Sequence, residues 1–344
     1  MSTVLVTGAS GFVGSHLLPE LLGAGHRVVA LVRSPGAGER VTRRLPAALA
    51  ANVELRTGDV DRPATLPAAL AGVEAVVHLV AIPRDRKGGR QLLAVNLDGT
   101  RNVIAAMQAT GIRRLVHLGA MGVEDREELH YAKSKARAER AVRESALDWT
   151  ILKPSLLFGP GDGFFNIVAD LVRLSPGIVP VPGDGKSRFQ PLHVADLALC
   201  LRLSVERPTT VGNAYELGGP RTWTYREITA EVCRAMGRRR VNVPVPLPLI
   251  KLIAGAAEAL HLPFPVATDQ LRQLALDNVG ALDSVHAAFG FAPRDMAGQL
   301  GHLRRKLRDQ EPAGPAVAVA AMPADPSGPA AIAPSRPAPR LPRA

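Results

Sequence analysis

The stretch Thr7-Gly8-Ala9-Ser10-Gly11-Phe12-Val13-Gly14 decides how this chain is read. An apolar run, Val4-Leu5-Val6, precedes it, and an amphipathic helical pattern over 12–22 follows. Glycines three apart between strand and helix each suit one job. Gly8 allows a tight turn, Gly11 lets backbone approach a pyrophosphate, and Gly14 lets helix pack on strand. The helix start then offers unsatisfied N–H groups and the positive end of its dipole. The spacing alone is a weak signal; the strand before it and the helix after it give it weight. Gly8, Ser10, Gly11, Phe12, Val13 and Gly14 are therefore the expected phosphate cradle.

Working outward, strand-like runs recur at 4–6, 28–32, 53–55, 75–80, 115–118 and 150–152. Helical patterns lie between them at 12–22, 66–70, 92–108 and 131–145. This alternation predicts an α/β fold with a doubly wound parallel Rossmann sheet. Prolines interrupt the rhythm after Pro154, and helical patterns return at 196–205, 225–236, 249–260, 269–276 and 296–308. Thr224 is a plausible N-cap for the second of these. The expected organisation is a nucleotide-binding domain over 1–155, a smaller, mostly helical lobe over 156–310, and a disordered tail over 311–344. That tail is rich in Pro and Ala and has no apolar periodicity with which to offset its ordering entropy.

The second strand runs into Arg33, where an NAD site usually carries Asp or Glu for the ribose 2′-hydroxyl. Arg33 suits a 2′-phosphate, so NADP(H) is expected in preference to NAD(H), which stays possible. An ordinary exposed Arg is the plainer reading. Asp59 and Val60 follow the third strand; Asp59 either reaches the adenine or caps a turn. Leu79, Val80 and Ala81 end the fourth strand where a cofactor would lie.

Tyr131 and Lys135 are one helical turn apart and share a face. With three Tyr and seven Lys in 344 residues, such a pair is rare by chance. A Tyr needs a nearby cation to become a useful acid or base near neutral pH, and Lys135 could supply it.

Composition excludes several classes. Hydrophobic residues are 47% and charged residues 21%, ordinary for a globular chain. The net charge of +11 comes from 35 Arg and 7 Lys without a run of five like charges, and there are 13 aromatics. Nucleic acid is therefore not the expected partner. Cys200 and Cys233 read as buried thiols of a reducing compartment. No signal peptide or spanning segment is evident, so a cytoplasmic location is expected. The apolar stretch 244–260 reads as a core helix, or as an interfacial helix docking on a membrane or membrane complex. His193 and Asp196 lack further ligands for a metal site and read as a loop-to-helix junction. Phe164 and Phe165 either line a pocket or pack under the lobe.

Taken together, TGASGFVG at 7–14, GDV at 58–60, VNLDGTRNVIAA at 95–106, YAKSK at 131–135 and LKPSLLFGPGD at 152–162 resemble the extended or atypical short-chain dehydrogenase/reductase superfamily. Later segments, FQPLHVAD at 189–196 and YELGGP at 215–220 among them, are similar to a subgroup that includes the NADPH-binding accessory subunit of respiratory complex I. The resemblance implies Tyr131 and Lys135 as catalytic and ribose-holding residues, with Asn96 orienting the Lys through water. It also assigns Pro154 to the cofactor site. It implies an oxidoreductase acting on a hydrophobic carbonyl or quinone-like substrate. The alternative is a non-catalytic NADPH-bound module of a respiratory or peripheral membrane complex, at the inner face of the membrane. One feature departs from the pattern. Active members carry a Ser or Thr at the end of the fifth strand, whereas no hydroxyl occurs from Leu115 through Glu128.

Overall fold

The computed structural model describes residues 1–85, 88–175, 177–246, 248–249 and 277–306. The expected helices over 249–260 and 269–276, the interfacial reading of 244–260 and the expected tail over 311–344 fall wholly or almost wholly outside the described residues.

Strands β1 (Thr3–Thr7), β2 (Arg27–Val32), β3 (Val53–Thr57), β4 (Ala75–His78), β5 (Arg114–Leu118) and β6 (Asp148–Pro154) build one sheet. Helices α1 (Phe12–Gly23), α2 (Pro35–Arg44), α3 (Ala47–Ala50), α4 (Leu66–Ala69), α5 (Arg90–Leu92), α6 (Gly99–Ala109) and α7 (His130–Arg143) connect them. Beyond residue 155 come α8 (Phe164–Leu174), α9 (Val194–Glu206) and α10 (Tyr225–Ala235). Short pairings also form there: β7 (Leu157–Phe158) with β10 (Leu192–His193), β8 (Ile178–Pro182) with β13 (Val241–Val245), and β9 (Arg188–Phe189) with β12 (Trp223–Thr224). The chain also returns to the main sheet, where β11 (Asn213–Leu217) pairs in parallel with β6.

The sheet order is β11-β6-β5-β4-β1-β2-β3, all parallel. It reverses direction at β1, with Val6 opposite both Ala30 of β2 and Val77 of β4. That reversal is where ligands bind in doubly wound sheets, beyond the carboxyl ends of the strands. The central strands are apolar on both faces because helices cover both. On one face Val6, Ala30 and Val77 pack with Leu17 and Leu21 of α1 and with Leu197 and Leu201 of α9. On the other, Leu5, Val76 and Leu115 pack with Val103 and Met107 of α6 and with Val142 of α7. A third core, around Phe158, Phe165, Val181 and Ile228, lies under α8 and α10.

Three details differ from the sequence expectation. Helix α1 is not amphipathic: residues 14–22 are all buried, because α9 covers the face that solvent would otherwise take. The fourth strand ends at His78, so Leu79, Val80 and Ala81 leave the sheet. The expected helix over 296–308 is reduced, among the described residues, to one turn at Gly301–Arg304. Met296, Leu300 and Leu303 are buried as their spacing suggests, but Gly298 at φ +73° breaks the helix before it can form. Among the described residues no helix is long and apolar enough to cross a membrane.

Candidate functional site

The glycine-rich loop opens at the carboxyl end of β1. Gly8 sits at φ +70°, with an added Cβ only 3.1 Å from the Leu79 carbonyl carbon. At Gly14 a Cβ would lie 2.5 Å from the Gly8 and Ala9 carbonyl oxygens, so α1 closes on β1 only without a side chain. At Gly11 it would meet only the Gly8 carbonyl, at 3.1 Å. The first turn of α1 holds no acidic residue and no side-chain cap. Its leading N–H groups therefore stay available to an anion. Arg44 of α2 braces this loop, donating from Nη1 to the Ser10 carbonyl at 3.1 Å.

Beside it lies a cleft of about 370 Å³. Of the residues expected from sequence, Gly8, Ser10, Gly11, Phe12, Val13, Gly14, Arg33, Asp59, Val60, Leu79, Val80 and Ala81 all line it. Asp59 also holds a turn, its Oδ1 accepting from the Asp61 N–H at 3.1 Å. Ala37, Asp61, Ile82 and Val95 line the cleft too and were not anticipated. Asp61 carries a carboxyl raised first by burial and then by Asp59, with Arg33 opposing. The cleft thus combines the open N–H groups of a helix start, apolar walls and the Arg33 cation, a lining suited to a dinucleotide.

A second cavity of about 440 Å³ begins at Pro83, next to the Ile82 that lines the first. Its wall is apolar, with Met121, Leu129, Leu156, Phe164, Ile167 and Leu171 on it. Tyr131 and Pro154 line this pocket. Phe164 lines it while Phe165 is fully buried in the core behind. Residues 164, 167, 168 and 171 recur at helical spacing, so this wall was readable in the sequence and was missed there.

Tyr131 opens α7, and burial pushes its hydroxyl up to about 12. Lys135, one turn on, is buried and donates from Nζ to the Leu118 carbonyl oxygen. Burial pulls its ammonium down to about 8, against the raising effect of Glu139. Asn96 sits in a widened π-type turn over Leu93–Asp98. Its Oδ1 accepts from the Ile82 N–H at 2.8 Å, and its Nδ2 donates to the Ile82 carbonyl at 3.1 Å and to Ser134 Oγ at 2.9 Å. Ser134 in turn donates to the Tyr131 carbonyl at 2.8 Å. The direct bonds of the Asn96 side chain thus tie the cleft wall to the start of α7.

Beneath Lys135 lies a layer of neutral imidazoles. Thr7 Oγ1 accepts from the Leu79 N–H, and its hydroxyl donates at 2.7 Å to His78 Nδ1, the bare nitrogen of the neutral ring. His78 Nε2–H then donates to Thr100 Oγ1 at 3.1 Å, because Thr100 donates onward to the Asn96 carbonyl. His117 stacks on His78 with ring centroids 5.5 Å apart. Burial first, and Lys135 second, hold both imidazoles far below their usual range, His78 at about 3.

At the end of β5, where a hydroxyl was found missing, Ala120 and Met121 line the pocket. A hydroxyl does reach this wall from just past β6: Ser155. It donates to Asn278 Oδ1 at 2.5 Å, while Asn278 Nδ2 donates to the Met121 carbonyl at 2.8 Å. Asp162 holds the loop below. Its Oδ1 accepts from the Phe165 and Asn166 N–H groups at 2.8 and 3.1 Å, capping α8, and its Oδ2 meets His302 Nε2 at 2.9 Å. His193 caps α9 by accepting from the Ala195 N–H at 3.1 Å, and Asp196 Oδ2 accepts from the Arg294 N–H at 2.7 Å.

Comparison with known proteins agrees with this geometry. A family model described as NAD(P)H-binding matches residues 8–170. The chain is 32% identical over 292 residues to (4-alkanoyl-5-oxo-2,5-dihydrofuran-3-yl)methyl phosphate reductase of Streptomyces griseus subsp. griseus, covering 82% of this chain and 89% of that one. It is 27% identical over 281 residues to NADH dehydrogenase [ubiquinone] 1 alpha subcomplex subunit 9, mitochondrial, of Arabidopsis thaliana, covering 80% and 68%. The crystal structure of gox2253 superposes with a TM-score of 0.71 at 24% identity, covering 90% of this chain and 98% of that one. The chain belongs to the short-chain dehydrogenase/reductase superfamily, among its atypical NAD(P)H-binding members related to the complex I subunit. It is thus an NAD(P)-binding protein of a reductase-like family.

Proposed function

We propose that this chain is an NADP(H)-dependent reductase of hydrophobic carbonyl compounds, quinone-like ones included. The observation that carries the reading is the place of Tyr131, in the wall of an apolar pocket that adjoins the dinucleotide cleft at residues 82–83. A pocket of this size and lining suits a small apolar ligand. Burial keeps the Tyr131 hydroxyl protonated at neutral pH, which suits an acid that donates to a carbonyl oxygen on reduction. Bound NADPH supplies the hydride. Tyr131 gives its proton to the oxygen, so ketone, NADPH and one proton become alcohol and NADP⁺, and solvent re-protonates Tyr131. Lys135, held by the Leu118 carbonyl, is the residue that the family resemblance assigns to the nicotinamide ribose. Arg33, just past β2 on the cleft wall, favours the 2′-phosphate and hence NADP(H) over NAD(H).

A second reading has its own support. Neither Gly119 nor Ala120 carries a hydroxyl, and Ser155 is committed to Asn278. A non-catalytic, nucleotide-holding module of a respiratory or peripheral membrane complex would need none, and the similarity to the complex I subunit favours it. Purified protein, assayed for bound nucleotide and for NADPH oxidation with a panel of long-chain ketones and quinones, separates the two. Turnover that is lost in Tyr131→Phe supports the reductase. Tight nucleotide binding without turnover supports the module.

A further inference from the structure

Asn278 is distant in sequence from the dinucleotide cleft, yet it lines the apolar pocket together with Tyr131, Met121, Gly122 and Ser155. Its backbone is pinned to β9. The Asn278 N–H donates to the Arg188 carbonyl at 2.8 Å. Asp277, just before it, accepts from the Arg188 N–H at 2.8 Å and from Nε and Nη2 of the same residue at 2.9 and 2.6 Å.

The carboxamide of Asn278 is held at both ends. Ser155 Oγ accepts from the Gln190 N–H at 3.2 Å and turns its own hydrogen to Asn278 Oδ1 at 2.5 Å. The Met121 carbonyl only accepts, so the nitrogen end of the amide faces it, at 2.8 Å. These two partners settle which end of the amide is which. An amide nitrogen carries two hydrogens, and Met121 takes one. Among the described residues the side chain bonds Ser155 and Met121 alone, so the second hydrogen is unspent.

Met121 and Gly122 belong to the stretch beyond β5 that carries no hydroxyl. A Cβ on Gly122 would lie 3.3 Å from Asn278 Nδ2, so the amide rests directly against that stretch. On the same wall Ser155 and Asp277 are both committed, to Asn278 and to Arg188. A fixed neutral donor therefore stands in an apolar pocket, beside the segment where the carbonyl-activating hydroxyl is missing.

We propose that Asn278 is the carbonyl-polarising residue of this pocket, its second Nδ2 hydrogen bonding the substrate oxygen that Tyr131 protonates. This rests on the reductase reading. Hydride passes from NADPH to the carbonyl carbon, the π pair moves onto oxygen, and Tyr131 supplies the proton there. Asn278 gives up no proton. It stabilises the charge that builds on oxygen in the transition state, from an orientation set before the ligand arrives.

The test uses the full chain and 2-dodecanone labelled with carbon-13 at its carbonyl. With NADP⁺ bound, no hydride is available, and infrared difference spectroscopy reads the carbonyl band of the bound ketone. Wild type is expected to shift that band to lower frequency than in hexane. Part of the shift remains in Tyr131→Phe, and still remains when Tyr225→Phe is added, because Asn278 goes on donating. Asn278→Ala loses that part, keeps its NADPH affinity and, with NADPH, lowers kcat by about 10². Absence of ketone binding, a band in Tyr131→Phe at its position in hexane, or a shift unchanged in Asn278→Ala overturns the proposal; the Tyr131→Phe result needs no change at residue 278. An Asn278-dependent shift without turnover supports Asn278 as the ligand's donor while removing the reductase reading. Turnover that is the same in Asn278→Ala removes the proposal and leaves that reading standing.

Discussion

The buried ammonium of Lys135 donates to the carbonyl oxygen of Leu118, the last residue of β5. The bond fixes the head of α7 against the carboxyl edge of the sheet, one turn from Tyr131. It also satisfies the charge with a neutral carbonyl, so burial still dominates and draws Lys135 down to about 8. Lys135 loses its proton near pH 8 in the folded chain and near its ordinary 10.5 when unfolded. Between those values the unfolded state binds more protons, so stability rises with pH through that window. Below it the buried charge costs up to about 3 kcal/mol. Lys135→Met is expected to raise the denaturation midpoint at pH 7, with the gain shrinking towards pH 10. A gain that does not change with pH would contradict this.

The end of β5 offers a gain-of-function test. Ala120 lines the apolar pocket, whereas an added Cβ at Gly119 would point at Lys153 Cγ, 3.0 Å away, and Ile151. Ala120→Ser is expected to raise kcat/KM for a ketone by about tenfold, a fraction of the 10²–10³ attributed to one preorganised donor. Gly119→Ser is expected to give no gain. Steady-state kinetics on the two variants decide the matter.

Arg33 is expected to set the choice of nucleotide. Arg33→Ala should weaken NADPH by about tenfold, the size of one charge-assisted hydrogen bond, and leave NADH unchanged. Calorimetric titration of both dinucleotides checks this, and equal losses for the two would contradict it.

Asp162 joins three parts of the chain: it caps α8, receives the Gly159 N–H at 3.3 Å and meets His302 from the C-terminal turn. Asp162→Ala leaves buried donors unmet and is expected to cost about 1–3 kcal/mol. Because α8 walls the apolar pocket, the same change should weaken an apolar ligand while sparing NADPH. Chemical denaturation and ligand titration measure the two effects separately.

Much of this was legible in the sequence, for local reasons. The glycine loop was readable because Gly8 and Gly14 sit where only a bare Cα fits, and that demand leaves its mark on residue type. Arg33 and Leu79–Ala81 followed from the strand rhythm. Pro154 lines the apolar pocket, and the direct bonds of Asn96 go to Ile82 and Ser134. A motif records that a residue is needed, not whether its side chain faces a ligand or, like Asn96, clamps Ile82 to Ser134. Strand β11 was missed because Asn213-Ala214-Tyr215-Glu216-Leu217 is an edge strand, half exposed, without an apolar run. Helix α2 was missed because Pro35-Gly36-Ala37-Gly38 looks like a turn, though Pro at the first helical position is favourable. Ser155 enters the site only through tertiary placement, which no local pattern encodes.

The measurement that tests the account most directly is NADPH oxidation by the wild type and by Tyr131→Phe with a long-chain ketone. The account predicts turnover in the wild type, a loss of about 10²–10⁴ in kcat for the variant, and nucleotide affinity close to unchanged. Tight NADPH binding with no turnover, the same in both proteins, would contradict it.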